Sequence, residues 1–310
     1  MQLRRLGVND SVSAVFPPDR LEAELADLPV EVAVVGDDRG DLAECDGVVT
    51  FAHHESYLDT VDWVHSIQAG VDRFPAEEFE ARDIALTNST GIHGDTVGEF
   101  VAGYMLMIAR RHHEYARKQE RKEWGYADWD APFTLAGESL CVVGLGTLGR
   151  GIAERADALG LEVTGVKRTP EDVPGVSTVY PQADLREAVA DATFVALAVP
   201  LTDGTEGLIG KAELDAMRDD AYLINVARGG VVRQNDLVRT LERDELAGAA
   251  LDVFAEEPLP ERSPLWEMDE VLVTPHAAAQ TRDYYRDIAA LVRENVDRIR
   301  SDEEPHNRVV

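Results

Sequence analysis

The first ninety residues alternate short apolar runs with a helical pattern. Four runs end near Gly or Asn turn residues, which is typical of β-strands. They are EVAVVG (31–36), GVVTF (47–51), WVHSIQAG (63–70) and DIALTN (83–88). A helix is predicted over residues 17–28, because Pro occupies its first turn and acidic residues lie near its start. Strands that alternate with helices indicate a parallel α/β layer structure.

A different rhythm follows between residues 94 and 120. Apolar side chains extend most of the way round the first half of this segment, which predicts one long helix with a buried first half. The second half is charged and leads into the aromatic segment WGYADW (124–129). We interpret this aromatic segment as an arm that reaches toward a second subunit.

A second α/β series begins at residue 139. Its predicted strands are apolar throughout rather than alternating, as expected when helices cover both faces of a sheet. They are SLCVVG (139–144), LEVTGV (161–166), TFVALAV (193–199), AYLINVA (221–227), AGAALDVF (247–254) and VLVT (271–274). Residues 282–300 have the pattern of an amphipathic helix, and the acid-rich SDEEPHNRVV after it is interpreted as a solvated end.

Length and charge narrow the class of protein. The 310 residues are enough for two domains, each with its own core. There are 59 acidic and 30 basic residues, a formal net charge of −29, and only four of the basic residues are Lys. This charge disfavours binding to nucleic acid or to an anionic membrane, because both need positive potential. It resembles the charge of cytosolic proteins from salt-accumulating halophiles; an ordinary acidic mesophilic protein is the alternative.

Other features of the chain favour a cytoplasmic protein without a metal. No apolar run approaches the roughly 18–20 residues that span a bilayer, and the first ten residues lack the apolar region of a signal peptide. Cys45 and Cys141 are too few for a disulfide framework or a metal cluster. The adjacent pairs His53-His54 and His112-His113 point their side chains in different directions, so no metal is expected there.

A glycine-rich sequence stands between the first strand of the second series and the helix that follows. It is GLGTLG (144–149), with the GxGxxG spacing of a dinucleotide-binding turn. The first Gly allows the tight turn, the second lets the backbone approach a pyrophosphate, and the third lets helix and strand pack closely. Amides at the start of the helix then meet the negative phosphates. We therefore expect a dinucleotide site.

The end of the next strand discriminates between the two nicotinamide dinucleotides. NAD-specific sites place Asp or Glu there, to bind the ribose 2′-hydroxyl. In this chain Lys167, Arg168 and Thr169 stand at the turn, and no carboxylate does. Two cations and a hydroxyl suit a 2′-phosphate. We predict NADP(H) as the preferred cofactor and leave NAD(H) open as a second one.

Four further motifs follow in order along the chain. They are QAGVD (68–72), NVARGG (225–230), LDVFAEEP (251–258) and TPH (274–276). Together with the glycine-rich sequence they resemble the D-isomer-specific 2-hydroxyacid dehydrogenase family, over essentially the whole chain. Within that family, the basic turn is similar to the NADPH-using glyoxylate and hydroxypyruvate reductase branch. The resemblance implies an oxidoreductase that transfers a hydride between nicotinamide and C2 of a small 2-keto acid or D-2-hydroxy acid.

Three residues suit that chemistry. Arg228 follows an apolar strand, at the edge where open α/β sheets bind ligands, and its planar fork can bind a carboxylate and polarise a ketone. His276 follows the last strand and can protonate the forming alkoxide. Glu257 resembles the family's partner of this histidine, and a carboxylate there favours the protonated imidazole. The adjacent Glu256 is the alternative partner.

The resemblance also implies ligand contacts. Gly70 and Val71 would offer backbone N–H groups to the substrate carboxylate, beside Arg228 and His276. The residues expected to contact the cofactor are Gly144, Gly146, Thr147, Leu148, Gly149, Lys167, Arg168, Thr169, Val199, Pro200, Thr205, Val226, Ala227 and Asp252.

The expected architecture is α/β, with two Rossmann-like doubly wound parallel-sheet domains. Residues 1–93, completed by 282–310, would form a discontinuous substrate domain, and residues 94–281 the dinucleotide-binding domain. By resemblance the substrate would bind in a cleft between them, and the protein would be a homodimer.

Two other functions remain open. One is a phosphite-type dehydrogenase of the same architecture; formate dehydrogenases are less similar, because they carry Gln where Glu257 stands. The other is a non-catalytic protein that senses a dinucleotide. Glyoxylate, hydroxypyruvate, pyruvate and bulkier branched 2-keto acids all remain candidate substrates, because the fold alone does not choose among them.

Overall fold

The computed structural model describes residues 3–310. The chain divides into two compact units, of which one comprises the chain up to Ile92 together with Gln280–Val310. The other comprises His93–Ala279. The first boundary, after Ile92, lies one residue before the expected boundary after residue 93. The second, after Ala279, lies two residues before the expected boundary after residue 281.

Twelve strands and eleven α-helices make up the regular structure of the described residues. The strands are β1 (Arg5–Asn9), β2 (Glu31–Val35), β3 (Gly47–Thr50), β4 (Trp63–Ser66), β5 (Ala85–Thr87), β6 (Ser139–Val143), β7 (Glu162–Lys167), β8 (Thr178–Pro181), β9 (Phe194–Leu197), β10 (Tyr222–Asn225), β11 (Gly248–Leu251) and β12 (Val271–Val273). The helices are α1 (Pro18–Glu24), α2 (Arg39–Leu42), α3 (Tyr57–Thr60), α4 (Ala76–Ala81), α5 (Gly94–Ala109), α6 (His112–Glu120), α7 (Thr147–Ala158), α8 (Leu185–Val189), α9 (Lys211–Leu214), α10 (Gln234–Leu241) and α11 (Tyr284–Arg300).

The first unit is a five-stranded parallel sheet in the order β2-β1-β3-β4-β5. Alternate strand residues point to opposite faces and join two apolar clusters. One cluster includes Ile288 and Val292 of α11, and the other includes Leu42 of α2 and Phe79 of α4. Helices therefore cover both faces, as in doubly wound α/β folds.

The strand β1 is an internal strand that the sequence pattern did not predict. It pairs with both β2 and β3, and its Leu6 and Val8 are fully buried. Arg4 before it, Arg5 as its first residue and Asp10 after it make the run too short and too charged to stand out as an apolar strand. Pairing on both sides buries its backbone, although only alternate side chains are strongly apolar.

Only the first part of the chain's end is the solvated tail that its acidic composition suggested, because residues 301–304 are exposed whereas the last residues pair with β5. The Val309 N–H donates to the Leu86 carbonyl at 2.7 Å, and the Leu86 N–H donates to the Val310 carbonyl at 3.3 Å. An antiparallel bridge joins Arg308 to Thr87. The last residues therefore satisfy the free edge of β5, which would otherwise expose unpaired backbone groups.

The second unit is a seven-stranded parallel sheet in the order β12-β11-β10-β9-β6-β7-β8. Numbered within the unit, this order contains the 3-2-1-4-5-6 arrangement of a Rossmann fold, extended by one strand. The order reverses between β6 and β9, which are hydrogen-bonded neighbours. The unpredicted β8 is an edge strand. The two parallel-sheet α/β units confirm the expected fold class.

The long helix expected over residues 94–120 is two helices, so that prediction was wrong. The first, α5, ends at Ala109, and α6 begins at His112 after Arg111, whose φ of 55° lies in the left-handed region. The Phe133 N–H donates to the Ala109 carbonyl at 2.9 Å. The apolar face that holds α5 in the core does not continue into α6, of which only His113 is buried. Among the described residues, none of the helices is both long and apolar enough to cross a membrane.

Candidate active site and dinucleotide site

The glycine-rich turn follows β6 at the point where the strand order of the second unit reverses. Gly144 has a φ of 98°, and a Cβ there would lie 2.6 Å from the carbonyl oxygen of Ala198 in the turn after β9. A Cβ on Gly149 would lie 1.8 Å from the Gly144 carbonyl oxygen. Both positions therefore require glycine, for the turn and for close packing of helix on strand.

The start of α7 fits a negatively charged ligand. A Cβ on Gly146 would meet no atom within 4 Å, so this part of the turn is open. The helix begins at Thr147 without a side-chain cap, and its first turn contains no acidic residue, in a chain of net charge −29. Unpaired amides and the positive end of the helix dipole favour phosphate at such a position. The residues that the sequence assigned to a dinucleotide pyrophosphate therefore fit that group.

The basic turn after β7 contains more than the cations that the sequence predicts. Lys167 is the last residue of β7 and is partly exposed, and Arg168 and Thr169 are exposed. The Lys167 ammonium binds the carboxylate of Glu171, four residues further on. No carboxylate stands at the turn itself, but that of Glu171 was not expected from the sequence and contacts the lysine from the following segment.

The other residues expected to contact the cofactor line loops at the same sheet edge. Val199 and Pro200 follow β9, and the Thr205 hydroxyl donates to the Pro200 carbonyl at 2.6 Å, which closes the loop on itself. Val226 and Ala227 follow β10 and are 6% and 4% exposed. Their contact with a cofactor stays a prediction.

Arg228 is presented by a turn that Asn225 holds in place. The buried Asn225 side chain accepts from the Ala227 N–H at 3.0 Å and donates to the Arg228 carbonyl at 3.1 Å. The next residue, Gly229, packs so closely on the loop after β11 that a Cβ would lie 1.9 Å from the Phe254 carbonyl. The position of Arg228 is thus fixed on both sides, while its side chain is partly exposed.

His276 and Glu257 form a hydrogen-bonded pair. The distance between His276 Nδ1 and Glu257 Oε2 is 3.0 Å, and the other Glu257 oxygen accepts from the Phe254 N–H at 3.1 Å. Their side chains are 33% and 21% exposed. The adjacent Glu256 instead forms an ion pair with Arg262 at 3.5 Å. Of the two candidate glutamates, Glu257 is therefore the one beside the imidazole.

The loop that carries His276 is held by Asp252. This carboxylate is 1% exposed and accepts from the N–H groups of Ala277 at 2.8 Å and Ala278 at 2.9 Å. It also accepts from the Thr274 hydroxyl, which in turn contacts the hydroxyl of Tyr104 on α5. Asp252 therefore positions the loop in this structure, and its expected contact with the cofactor stays a prediction.

Comparison with known proteins identifies the family of this chain. Residues 102–278 match the family described as "D-isomer specific 2-hydroxyacid dehydrogenase, NAD binding domain". The chain belongs to the D-isomer-specific 2-hydroxyacid dehydrogenase family. The resemblance that the motifs indicated is thereby confirmed, and the protein is a pyridine-nucleotide-dependent 2-hydroxyacid dehydrogenase.

Several relatives resemble this dehydrogenase over most of its length. The glyoxylate reductase of Korarchaeum cryptofilum is 33% identical over 248 residues, which cover 77% of this chain and 73% of the relative. A D-isomer-specific 2-hydroxyacid dehydrogenase from Xanthobacter autotrophicus, solved with NADPH and MES, is 30% identical, with a TM-score of 0.83 over 100% of this chain and 98% of its own. An NADPH-dependent glyoxylate/hydroxypyruvate reductase from Sinorhizobium meliloti, solved with NADP and sulfate, is 26% identical, with a TM-score of 0.83 over 99% and 98% of the two chains.

In the first unit of the dehydrogenase, Gly70 and Val71 lie in the turn after β4. Asn88 holds this turn by donating to the Ala69 carbonyl at 2.8 Å, and the Ser89 N–H donates to the Gln68 carbonyl at 3.0 Å. Gly70 and Val71 are partly exposed. Their role toward a substrate carboxylate stays a prediction.

Three residues of the site were not predicted to have a role: Asn225, Thr274 and His93. Asn225 and Thr274 lie inside the motifs, but their importance depends on backbone partners that only the folded turns define. His93 precedes α5 and is 4% exposed. Burial, and secondly the positive charge of Arg228, lowers the pKa of His93 to about 4, so this imidazole is neutral at physiological pH. Within residues 3–310, no group of three or more His, Cys, Asp or Glu side chains is placed to hold a metal ion.

Proposed function

We propose that this dehydrogenase prefers NADP(H) and interconverts small 2-keto acids and D-2-hydroxy acids. One observation carries the proposal: Arg228, Glu257 and His276 follow β10, β11 and β12, which are neighbouring strands of one sheet. All three stand at the carboxyl edge of the sheet that also carries the glycine-rich turn. This edge is where open α/β sheets bind their ligands.

Arg228 is the proposed clamp for the substrate. A guanidinium offers a planar set of N–H donors that matches a carboxylate and can also polarise the neighbouring ketone oxygen. Asn225 and the close approach of Phe254 fix the turn before any ligand arrives. The Arg228 guanidinium can therefore stabilise the negative charge that develops on the ketone oxygen, and the turn that carries it needs little reorganisation.

His276 is the proposed acid and base. Since Glu257 lies 3.0 Å from Nδ1, the carboxylate accepts a hydrogen bond from Nδ1–H and orients the ring, which leaves Nε2 to exchange a proton with the substrate oxygen. In the reductive direction Nε2 donates its proton to the alkoxide that forms, and in the oxidative direction it takes the proton back. Glu257 thereby holds the imidazole in the orientation that this proton exchange requires.

The cofactor site is proposed on the same edge of the sheet. When bound, the nicotinamide supplies or accepts the hydride. The glycine-rich turn and the first amides of α7 would hold the pyrophosphate, and Lys167, Arg168 and Thr169 would hold a 2′-phosphate. The relatives from Xanthobacter autotrophicus and Sinorhizobium meliloti, solved with NADPH and NADP, support this choice.

The substrate side of the proposal rests on the family. Relatives named glyoxylate reductase and glycerate dehydrogenase support a small 2-keto acid or 2-hydroxy acid. By the same resemblance, backbone N–H groups of Gly70 and Val71 are proposed to bind the substrate carboxylate.

A homodimer is part of the same proposal. The arm residues Trp124, Tyr126 and Trp129 are 99%, 86% and 92% exposed. Large aromatic side chains exposed together are typical of surfaces that associate.

The test is steady-state reduction of glyoxylate, hydroxypyruvate, pyruvate and a branched 2-keto acid, each with NADPH and with NADH at high salt. The proposal predicts turnover of at least one keto acid and a higher kcat/KM with NADPH. A higher kcat/KM with NADH would contradict the cofactor preference alone. Folded protein that reduces none of the four acids, but oxidises phosphite or only binds the dinucleotide, would contradict the proposed substrate class.

A further inference from the structure

The turn after β7 holds an acidic side chain that a preference for NADP(H) does not explain. Glu171 lies four residues after Lys167, and its Oε1 atom accepts from two cations. One is the Lys167 ammonium, and the other is the Arg150 guanidinium, whose Nη2 is 2.9 Å away. Of the two cations proposed to bind a 2′-phosphate, Lys167 is thus already engaged by a carboxylate, which also binds the nearby Arg150.

Arg150 links this cluster to the glycine-rich turn. It is the residue directly after Gly149, and its Nε donates to the Leu145 carbonyl at 3.2 Å. The hydrogen bond from Lys167 lowers the pKa of Glu171, so this carboxyl is ionised at neutral pH. Both cations therefore face a full negative charge within one connected network.

We propose that Glu171 is a specificity-determining residue that competes with the 2′-phosphate of NADP(H) for Lys167 and Arg150. This inference rests on the proposed function, because it takes the turn after β7 as the site of the 2′-phosphate. The phosphate must displace a carboxylate that the cations already bind. NAD(H) leaves the ion pairs in place, and its ribose 2′-hydroxyl can donate to the carboxylate as it does to Asp or Glu in NAD-specific sites.

The direction of the effect follows from the charges. The 2′-phosphate must displace Glu171, so part of the binding free energy that NADP(H) gains from Lys167 and Arg150 is lost. NAD(H) has no 2′-phosphate and loses none of its binding free energy in this way. Glu171 therefore reduces the preference of the enzyme for NADP(H) over NAD(H). The ion pairs are half exposed on the Glu171 side, at 53%, so each is expected to contribute modestly to the selectivity.

The test compares two fragments that differ only in the 2′-phosphate. Calorimetric titration of the full chain with 2′,5′-ADP and with 5′-AMP gives a dissociation constant for each, without any turnover. The variant is Glu171→Gln, and the matched control is Asp215→Asn. Asp215 also lies four residues after a lysine, Lys211, and pairs with it at 2.6 Å, so the control removes the same charge elsewhere in the same unit.

We expect Glu171→Gln to bind 2′,5′-ADP about three- to tenfold more tightly than the parent, because two exposed pairs are lost. Its affinity for 5′-AMP is not expected to rise, and Asp215→Asn is expected to match the parent for both fragments. An unchanged or weaker affinity of Glu171→Gln for 2′,5′-ADP would overturn the inference.

A second variant separates this failure from failure of the proposed function. If Lys167→Gln weakens 2′,5′-ADP while Glu171→Gln changes nothing, the 2′-phosphate site stands and only the competition by Glu171 is overturned. If the parent and all variants bind 2′,5′-ADP and 5′-AMP alike, the NADP(H) preference is contradicted together with the inference.

Discussion

The two glutamates that precede Pro258 differ in what their carboxylates contact. Glu257 lies against the His276 imidazole and the Phe254 N–H, whereas Glu256 points to Arg262 on the surface. Adjacent residues of one type are nearly equivalent in sequence. The local backbone conformation separates them, and it provides a matched pair of variants.

Glu257→Gln is expected to lower kcat for keto-acid reduction by about 10²–10³, within the range of general acid catalysis, because an amide does not hold the imidazole in the tautomer and orientation that proton donation from Nε2 requires. Glu256→Gln serves as the control, and its kcat is expected to stay within a factor of about two, as for a surface charge. Steady-state kinetics at saturating cofactor measure both. Equal losses in the two variants would contradict the assignment of Glu257.

For individual residues, the sequence indicates which side chains take part in the chemistry better than it indicates their hydrogen-bonding partners. Arg228, Glu257 and His276 could be named because motifs mark them. The link from Glu171 to Lys167 could not, because the chain between them is a non-helical turn whose path the sequence does not define. The roles of Asn225 and Thr274 depend in the same way on which backbone groups the folded turns bring within hydrogen-bonding distance.

Among the elements, β11 and β12 are coupled through Asp252. Its carboxylate, at the end of β11, receives two N–H groups and a hydroxyl from the loop after β12. His276 stands in that loop with a φ of 54°, an uncommon conformation for a non-glycine residue. The loop must therefore be held from outside, and Asp252 holds it.

Asp252→Asn is expected to destabilise the second unit by about 1–3 kcal/mol, since an amide leaves buried donors poorly satisfied. Because the His276 loop is then less well positioned, kcat is also expected to fall, by about tenfold or more. Thr274→Val, which removes only the hydroxyl donor, is expected to cause a smaller loss of both. Thermal unfolding and steady-state kinetics test the pair. A weaker affinity for NADP(H) with unchanged stability would show that Asp252 acts on the cofactor instead.

The sequence predicts the strands whose residues are almost all apolar. It does not predict strands that form mainly because neighbouring strands pair with them. Strands β6, β9, β10 and β11 are almost wholly apolar and lie inside the predicted runs. In contrast, β1 is flanked by charges and becomes an internal strand only because β2 and β3 pair with it. The break between α5 and α6 depends on a single left-handed residue, Arg111, which no Gly or Pro announces.

For the whole molecule, the sequence predicted both the two-sheet α/β fold and the family. The ordered set of motifs carries that prediction, since the strand rhythm alone would fit many α/β proteins. The net charge of −29 and the halophile interpretation make high salt the appropriate condition for any assay, because salt screens the self-repulsion of the acidic surface.

Of the proposed roles, that of His276 as the proton donor in keto-acid reduction is the one on which the others depend. The most direct measurement is kcat of His276→Asn with its best 2-keto acid, alongside the dissociation constant for NADPH. We expect kcat to fall by about 10²–10⁴, the usual contribution of a general acid, while NADPH binds as tightly as to the parent. A kcat within about threefold of the parent, in a variant that binds NADPH normally, would contradict it.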